Sequence, residues 1–189
     1  MDTIIILIKG LRSDMGVYGG PIVNVAFSGY RYTPNYTPSL LIQVESAGNS
    51  SPDKANYKRQ RIVIDGTQVL SASSPRSYRA TQLRPSGETW TYVTSSGIDV
   101  YGSDTNANKM NLFLTSFERG DLLVMNTYDE PNLRRGYFTN TLINDFNAQL
   151  TSSITYRCGY VLVAVKGYGV YYESVVPISV YPLGSTIYL

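Results

Sequence analysis

The chain contains no histidine and a single cysteine, Cys158. Without imidazole there is no Ser-His-Asp or Cys-His nucleophilic site, no His-ligated zinc, iron or copper, and no imidazole pH switch. One cysteine excludes an intramolecular disulfide and a thiolate metal cage. Charge is sparse too: Asp, Glu, Lys and Arg make up 16% of the residues, against roughly 25% in an average domain. A formal net charge of +2 offers no broad electrostatic footprint for nucleic acid or an anionic membrane. Long apolar runs are missing as well. The longest, residues 4–8 and 160–165, fall far short of the roughly 20 residues that span a bilayer. The N-terminus shows no basic n-region, long apolar stretch or small-residue cleavage site. The expectation is a product of a reducing cytoplasm, without signal peptide or transmembrane segment.

What is abundant is tyrosine, 17 in 189 residues, a length that suits one substantial domain. The first half alternates short apolar or β-branched segments with turn clusters, which predicts strands. The clearest are residues 4–8, 22–27, 40–44 and 61–70, the last a hairpin closed at Asp65-Gly66. Further short strands are expected at 89–93 and 97–100. The period then changes. Met110, Phe113, Leu114 and Phe117 follow helical spacing, predicting a helix over 106–117 capped by Asp104 or Thr105. A second helix is expected over 139–150, with Leu142, Ile143, Phe146 and Leu150 on one side and Thr139 or Asn140 capping it. Each helix precedes an unbroken apolar run, at 122–125 within 121–127 and at 160–165, and that order predicts a parallel βαβ unit. The tail from 167 to 189, with Pro177 and Pro182, is expected to add edge strands. The fold class is therefore α+β: mostly β, with two short amphipathic helices packed on a mixed sheet. A β-rich N-terminal docking segment, 1–56, precedes a globular domain, 57–189.

Few motifs carry chemistry. Asp104-Thr105-Asn106-Ala107-Asn108 imitates half a calcium loop, but Lys109 stands at the glycine position and Thr115 at the bidentate glutamate, so a helix cap is the better reading. Cys158 beside Arg157 lacks a partner base and is expected to be an inert, half-buried thiol. No metal site, cofactor site or catalytic pair of carboxylates is singled out by spacing. Tyr30, Tyr32 and Tyr36, and Tyr168 and Tyr172 with Val170 on one strand face, are candidate interface residues, since tyrosine supplies contact area at low entropic cost. Ordinary sheet packing is the competing explanation.

Gly120-Asp121-Leu122-Leu123-Val124-Met125-Asn126-Thr127-Tyr128-Asp129-Glu130-Pro131, followed by Arg157 and by Val161-Leu162-Val163-Ala164-Val165-Lys166-Gly167, resembles the interleukin-like EMT inducer, or PANDER-like, domain over roughly residues 61–174. The resemblance implies a compact β-β-α globule with a non-catalytic recognition role. In one relative, the stem domain of a protein-O-mannose N-acetylglucosaminyltransferase, the acid of the acidic turn and the Arg before the last long strand bind a terminal N-acetylglucosamine. The corresponding residues here are Asp129 and Arg157, with Tyr128 and Tyr156 as candidate stacking rings. Asp129 and Arg157 either bind such a glycan or pair with each other. Secreted vertebrate members carry paired cysteines, whereas Cys158 stands alone. Domains of this type also occur in bacteriophage virion proteins. The resemblance therefore implies a non-enzymatic structural or adhesion subunit of a phage virion, assembled in the host cytoplasm. A tail fibre, baseplate or tail tip is the expected place. Its partners would be other tail subunits in a homo- or hetero-oligomer, and a host-surface glycan, with no nucleic acid and no membrane insertion. The alternative is a soluble carbohydrate-binding module for N-acetylglucosamine-type glycans.

Overall fold

Asp65 and Gly66, with φ of +47° and +76°, form the two-residue turn whose twist matches the strands on either side. They join β2 (Arg61–Ile64) to β3 (Thr67–Leu70), the hairpin that the Asp-Gly step predicts. The Asp65 carboxylate accepts the Leu41 N–H at 2.8 Å and ties the turn to β1 (Leu41–Gly48). The computed structural model describes residues 40–48, 61–70, 76–87, 89–176 and 183–188. The strands expected at 4–8 and 22–27 lie outside these residues.

Among the described residues nine strands build two layers. The larger contains β4 (Ser77–Ser86), β5 (Thr89–Ile98), β6 (Leu122–Asp129), β7 (Gly159–Val165) and β8 (Gly169–Val176). It is antiparallel throughout, in the order β5-β4-β6-β7-β8. The smaller, β3-β2-β1-β9, is also antiparallel and ends on β9 (Leu183–Tyr188). The two short strands expected at 89–93 and 97–100 are one continuous β5. The tail supplies β8 and β9, as its composition suggests. Leu40 to Gly48, placed by composition in the N-terminal segment, form a strand of the smaller sheet and share its ladder with β2 and β9.

Alternation along β6 and β7 sends side chains to opposite faces of the larger sheet. Leu122, Val124, Val161, Val163 and Val165 meet Ile42, Val44, Ile62 and Ile187 of the smaller sheet. Leu123, Met125, Tyr160, Leu162 and Ala164 face the helices. The architecture is thus two sheets and one helical layer, an α+β fold with its helices packed on antiparallel sheets.

The parallel βαβ unit is not formed. β6 and β7 are antiparallel neighbours, with Leu122 opposite Val165 and Asn126 opposite Val161. After α2 (Gly136–Phe146) the chain doubles back through a 3-10 turn at Thr151–Ser153 and re-enters the sheet at the end it left. The unbroken apolar runs arise because both faces of these strands are covered, and that burial does not depend on strand direction. Among the described residues the one parallel pairing is between β1 and β6, at Ala47–Tyr128 and Gly48–Asp129.

Both helices begin earlier than their apolar spacing implies. α1 (Asp104–Thr115) is capped by Ser103, whose Oγ accepts the Asn106 N–H, rather than by Asp104 or Thr105. It buries Ala107, Met110 and Leu114. α2 has no side-chain cap; Thr139 instead donates its hydroxyl to the Arg135 carbonyl. It ends at Asn147, which adopts φ +59° while Ala148 N–H returns to Leu142 O. That closing turn usually uses glycine, so nothing in the sequence announces it. An edge-on contact of Tyr78 with Phe138, 5.0 Å between ring centroids, fastens α2 to β4, and one of Phe117 with Phe146, at 5.5 Å, joins the chain after α1 to α2. No helix among the described residues is long and apolar enough to cross a membrane.

The smaller sheet docks where β7 peels away from β6. There Ser46 Oγ donates to Thr127 O at 2.7 Å and accepts the Tyr160 N–H at 3.1 Å. Gly159 lets the strands close at this seam, because a Cβ there would sit 2.7 Å from Val176 Cγ2. Gly159→Ala is expected to destabilise the fold by about 1–3 kcal/mol through this overlap, measurable as a lower denaturation midpoint with an unchanged slope in urea.

Candidate functional site

β6 ends on Asp129, and the next residue, Glu130, is buried. A carboxylate in that position needs donors, and the chain supplies main-chain ones. Its Oε1 accepts the N–H groups of Asn132 and Leu133 at 2.8 and 3.3 Å, and its Oε2 accepts the Arg157 N–H at 2.9 Å. Ser77 Oγ donates to the Glu130 carbonyl and accepts the Tyr101 N–H, while the Tyr78 hydroxyl donates to the Pro131 carbonyl. Four separate stretches of chain, at 77–78, 101, 130–133 and 157, therefore converge at one end of the larger sheet.

That convergence brings Asp129 and Arg157 to one corner. The two segments are joined through Glu130; no ion pair between the Asp129 and Arg157 side chains occurs among the described residues. The Arg157 guanidinium lies over the Tyr156 ring, 4.8 Å from its centroid, and Tyr156 is 54% exposed. Tyr128 is half-buried. Burial, with the neighbouring Asp129 charge, raises its hydroxyl above the usual tyrosine range.

The same end carries a second aromatic and guanidinium group that spacing alone does not reveal. Arg76 sits over the Tyr101 ring at 4.6 Å and pairs with Asp99 at 3.3 Å. Arg134 pairs with Asp104 at 2.6 Å and donates to the Tyr101 carbonyl. Arg134, and then the Tyr137 hydroxyl, hold the Asp104 carboxyl below its ordinary range. Asp104 is thus the first helical residue and an Arg partner, one position past the Ser103 cap. Four non-glycine residues at this end have left-handed backbone: Ser77 at φ +92°, Asp129 at +66°, Arg134 at +64° and Arg157 at +54°. Such conformations cost on the order of 1–3 kcal/mol each and persist only where surrounding bonds enforce them; at Asp129 and Arg157 the Glu130 contacts supply that enforcement.

The remaining candidates separate. Tyr168 is exposed in the β7–β8 turn, with the Arg119 guanidinium 5.1 Å from its ring centroid, at a different part of the fold. Tyr172 is not an interface residue: it is 7% exposed and packs in the core between the sheets. The expectation that it shares a face with Val170 fails because the register shifts between Val163 and Ala164, which are opposite Tyr172 and Val170 respectively. This bulge inserts Tyr171 and sends Val170 to the helical side. Tyr30, Tyr32 and Tyr36 lie outside the described residues. Cys158 is fully buried rather than half-buried, and burial pushes its thiol up, away from the reactive thiolate.

Two more buried carboxylates serve as anchors. Asp121 accepts from Gln82 Nε2, from Arg84 at 2.9 and 3.0 Å and from the Glu118 N–H at 2.8 Å. Burial opposes its charge, but Arg84 and these donors outweigh burial and leave its carboxyl below the usual range. Glu173 accepts from the Tyr160 hydroxyl and from the N–H groups of Gln149 and Leu150 at 2.7–3.0 Å. There burial prevails and raises the carboxyl.

Glu130→Gln must turn one amide NH2 toward a main-chain donor, and the Arg157 N–H is the single-bonded side that loses. The expected cost is about 1–3 kcal/mol, with faster hydrogen exchange at the Arg157 amide. For Asp121 the lowered carboxyl contributes stability above the ordinary carboxylate range, and that stability disappears as pH falls through the lowered value. Asp121→Asn should therefore destabilise by about 1–3 kcal/mol at neutral pH. Its deficit against the wild type should shrink below about pH 4 in denaturation series run at several pH values.

No protein-family model matches the chain, and no curated protein matches it.

Proposed function

We propose that the protein is a non-enzymatic structural or adhesion subunit of a bacteriophage virion, placed in the tail, that acts through contact surfaces. The observation that carries this reading is the end of the larger sheet at which Tyr101, Tyr137 and Tyr156 are exposed among the guanidinium groups of Arg76, Arg134 and Arg157. Tyrosine and arginine dominate the energetics of protein contact surfaces, and left-handed backbone held in place by buried bonds presents such side chains without further ordering cost. The engagement of Asp121, Glu130 and Glu173 in holding main-chain or side-chain donors supports the non-enzymatic part, since these buried acids are occupied in structure. Antibodies raised against the purified chain should label one position on tail structures of particles from the source lysate. Free soluble protein with no particle-bound fraction would overturn the virion reading.

A second reading is favoured by the corner itself, where Asp129, Arg157, Tyr128 and Tyr156 adjoin. A carboxylate accepts from sugar hydroxyls, a guanidinium donates to ring or amide oxygens, and a tyrosine ring covers the apolar sugar face. Titration with N-acetylglucosamine-ended glycans should give saturable binding that Arg157→Ala weakens about 10- to 100-fold, the loss of a charged hydrogen bond. Absence of binding, or binding that Arg157→Ala leaves untouched, removes the glycan role.

A further inference from the structure

β5 spans Thr89–Ile98, with the sequence Thr-Trp-Thr-Tyr-Val-Thr-Ser-Ser-Gly-Ile. It is the outer strand of the larger sheet, and among the described residues its ladder partner is β4 alone. In an antiparallel ladder about half of an outer strand's main-chain N–H and C=O groups point away from its neighbour. Sheets normally guard such an edge with a short strand, a proline, a lysine or a bulge that turns it away. This edge has ten residues and no charged residue or proline. The other outer strands differ. β3 has four residues and β9 six, while β8 is flanked by β9 and α2.

The middle of β5 is also its most apolar exposed point. The register shifts opposite Gln82 and Leu83, which pair with Thr94 and Tyr92, so that Val93 is the extra residue of a bulge. Tyr92 and Val93 consequently adjoin, 49% and 41% exposed. They lie at the centre of a strand that runs from 89 to 98. An antiparallel copy of the same strand, centred on the same point, brings each Tyr92-Val93 pair against the other. It places no like charges across the new ladder, because the strand has none. Self-complementarity of this kind defines a two-fold contact, and an extended uncharged edge is the recognition element of strand addition.

We propose that β5 pairs antiparallel with β5 of a second copy of this chain, continuing the five-stranded sheet into a ten-stranded one across a two-fold axis near Val93. The contact lies on an edge of the sheet and stands independently of any glycan or virion role. A strand-on-strand contact of this length is small compared with a standard interface, so the dimer is concentration-dependent.

Sedimentation velocity from low to several hundred micromolar should show a reversible monomer–dimer equilibrium. Val93→Lys introduces like charges beside the axis and should raise the dimer dissociation constant about tenfold or more. Its melting temperature at low concentration should match the wild type, because residue 93 is exposed. Val93→Glu should behave likewise, and an equimolar mixture of the two should recover dimer through opposite charges across the ladder. A wild-type chain that stays monomeric throughout overturns the proposal; β5 amides slow to exchange in that monomer would assign the edge to another segment of the same chain. Dimerisation unaffected by either substitution overturns it equally, since the contact would then lie elsewhere.

Discussion

Main-chain N–H groups that leave a helix or enter a loop beneath a sheet have no ladder to join, and here buried carboxylates accept them. Glu130 takes those of Asn132 and Leu133 on the way into α2 and that of Arg157 on the return to β7. Glu173 takes those of Gln149 and Leu150 on the way out of α2. The helix is thus clamped at both ends by an acid whose removal would strand several donors at once. The position of α2, the doubling back of the chain and the antiparallel pairing of β6 with β7 all follow from these two clamps. So does the corner that holds Asp129 and Arg157.

Asp121 and Glu173, both buried, respond to pH in opposite senses. Glu173 lies where desolvation dominates, so its carboxyl is raised, and the folded state holds its proton more readily than the unfolded chain does. Asp121, at the other end of β6, has a guanidinium beside it and moves the opposite way. Similar side chains in similar burial thus titrate in opposite directions, because one has a cation within reach and the other has only neutral donors.

Much of the layer structure was legible in the sequence. The Asp65-Gly66 hairpin, both helices and the strands at β6 and β7 follow from turn chemistry and apolar period, because these are local signals. Strand direction was not legible, since Leu122 to Met125 and Tyr160 to Val165 are apolar for being covered on two faces, whichever way they run. The helix ends escaped because Ser103 lies outside the apolar pattern and Asn147 takes a role usually signalled by glycine. In the site, Asp129 and Arg157 came from resemblance. Glu130, which joins their two segments, gives no local sign that it is buried, and Tyr172 was misplaced by a bulge that period-2 reasoning does not see.

The seam at Ser46 has a consequence for the order in which the molecule forms. Its hydroxyl meets Thr127 across 81 positions and Tyr160 across 114, whereas β4 and β5 are sequence neighbours and β7 and β8 form a hairpin. Contacts between distant positions must wait until the intervening chain has been shortened by nearer ones. The five-stranded sheet with its helices is therefore the early framework, and the smaller sheet closes over it late. Closing the seam is what takes Val124, Val161 and Val163 out of water.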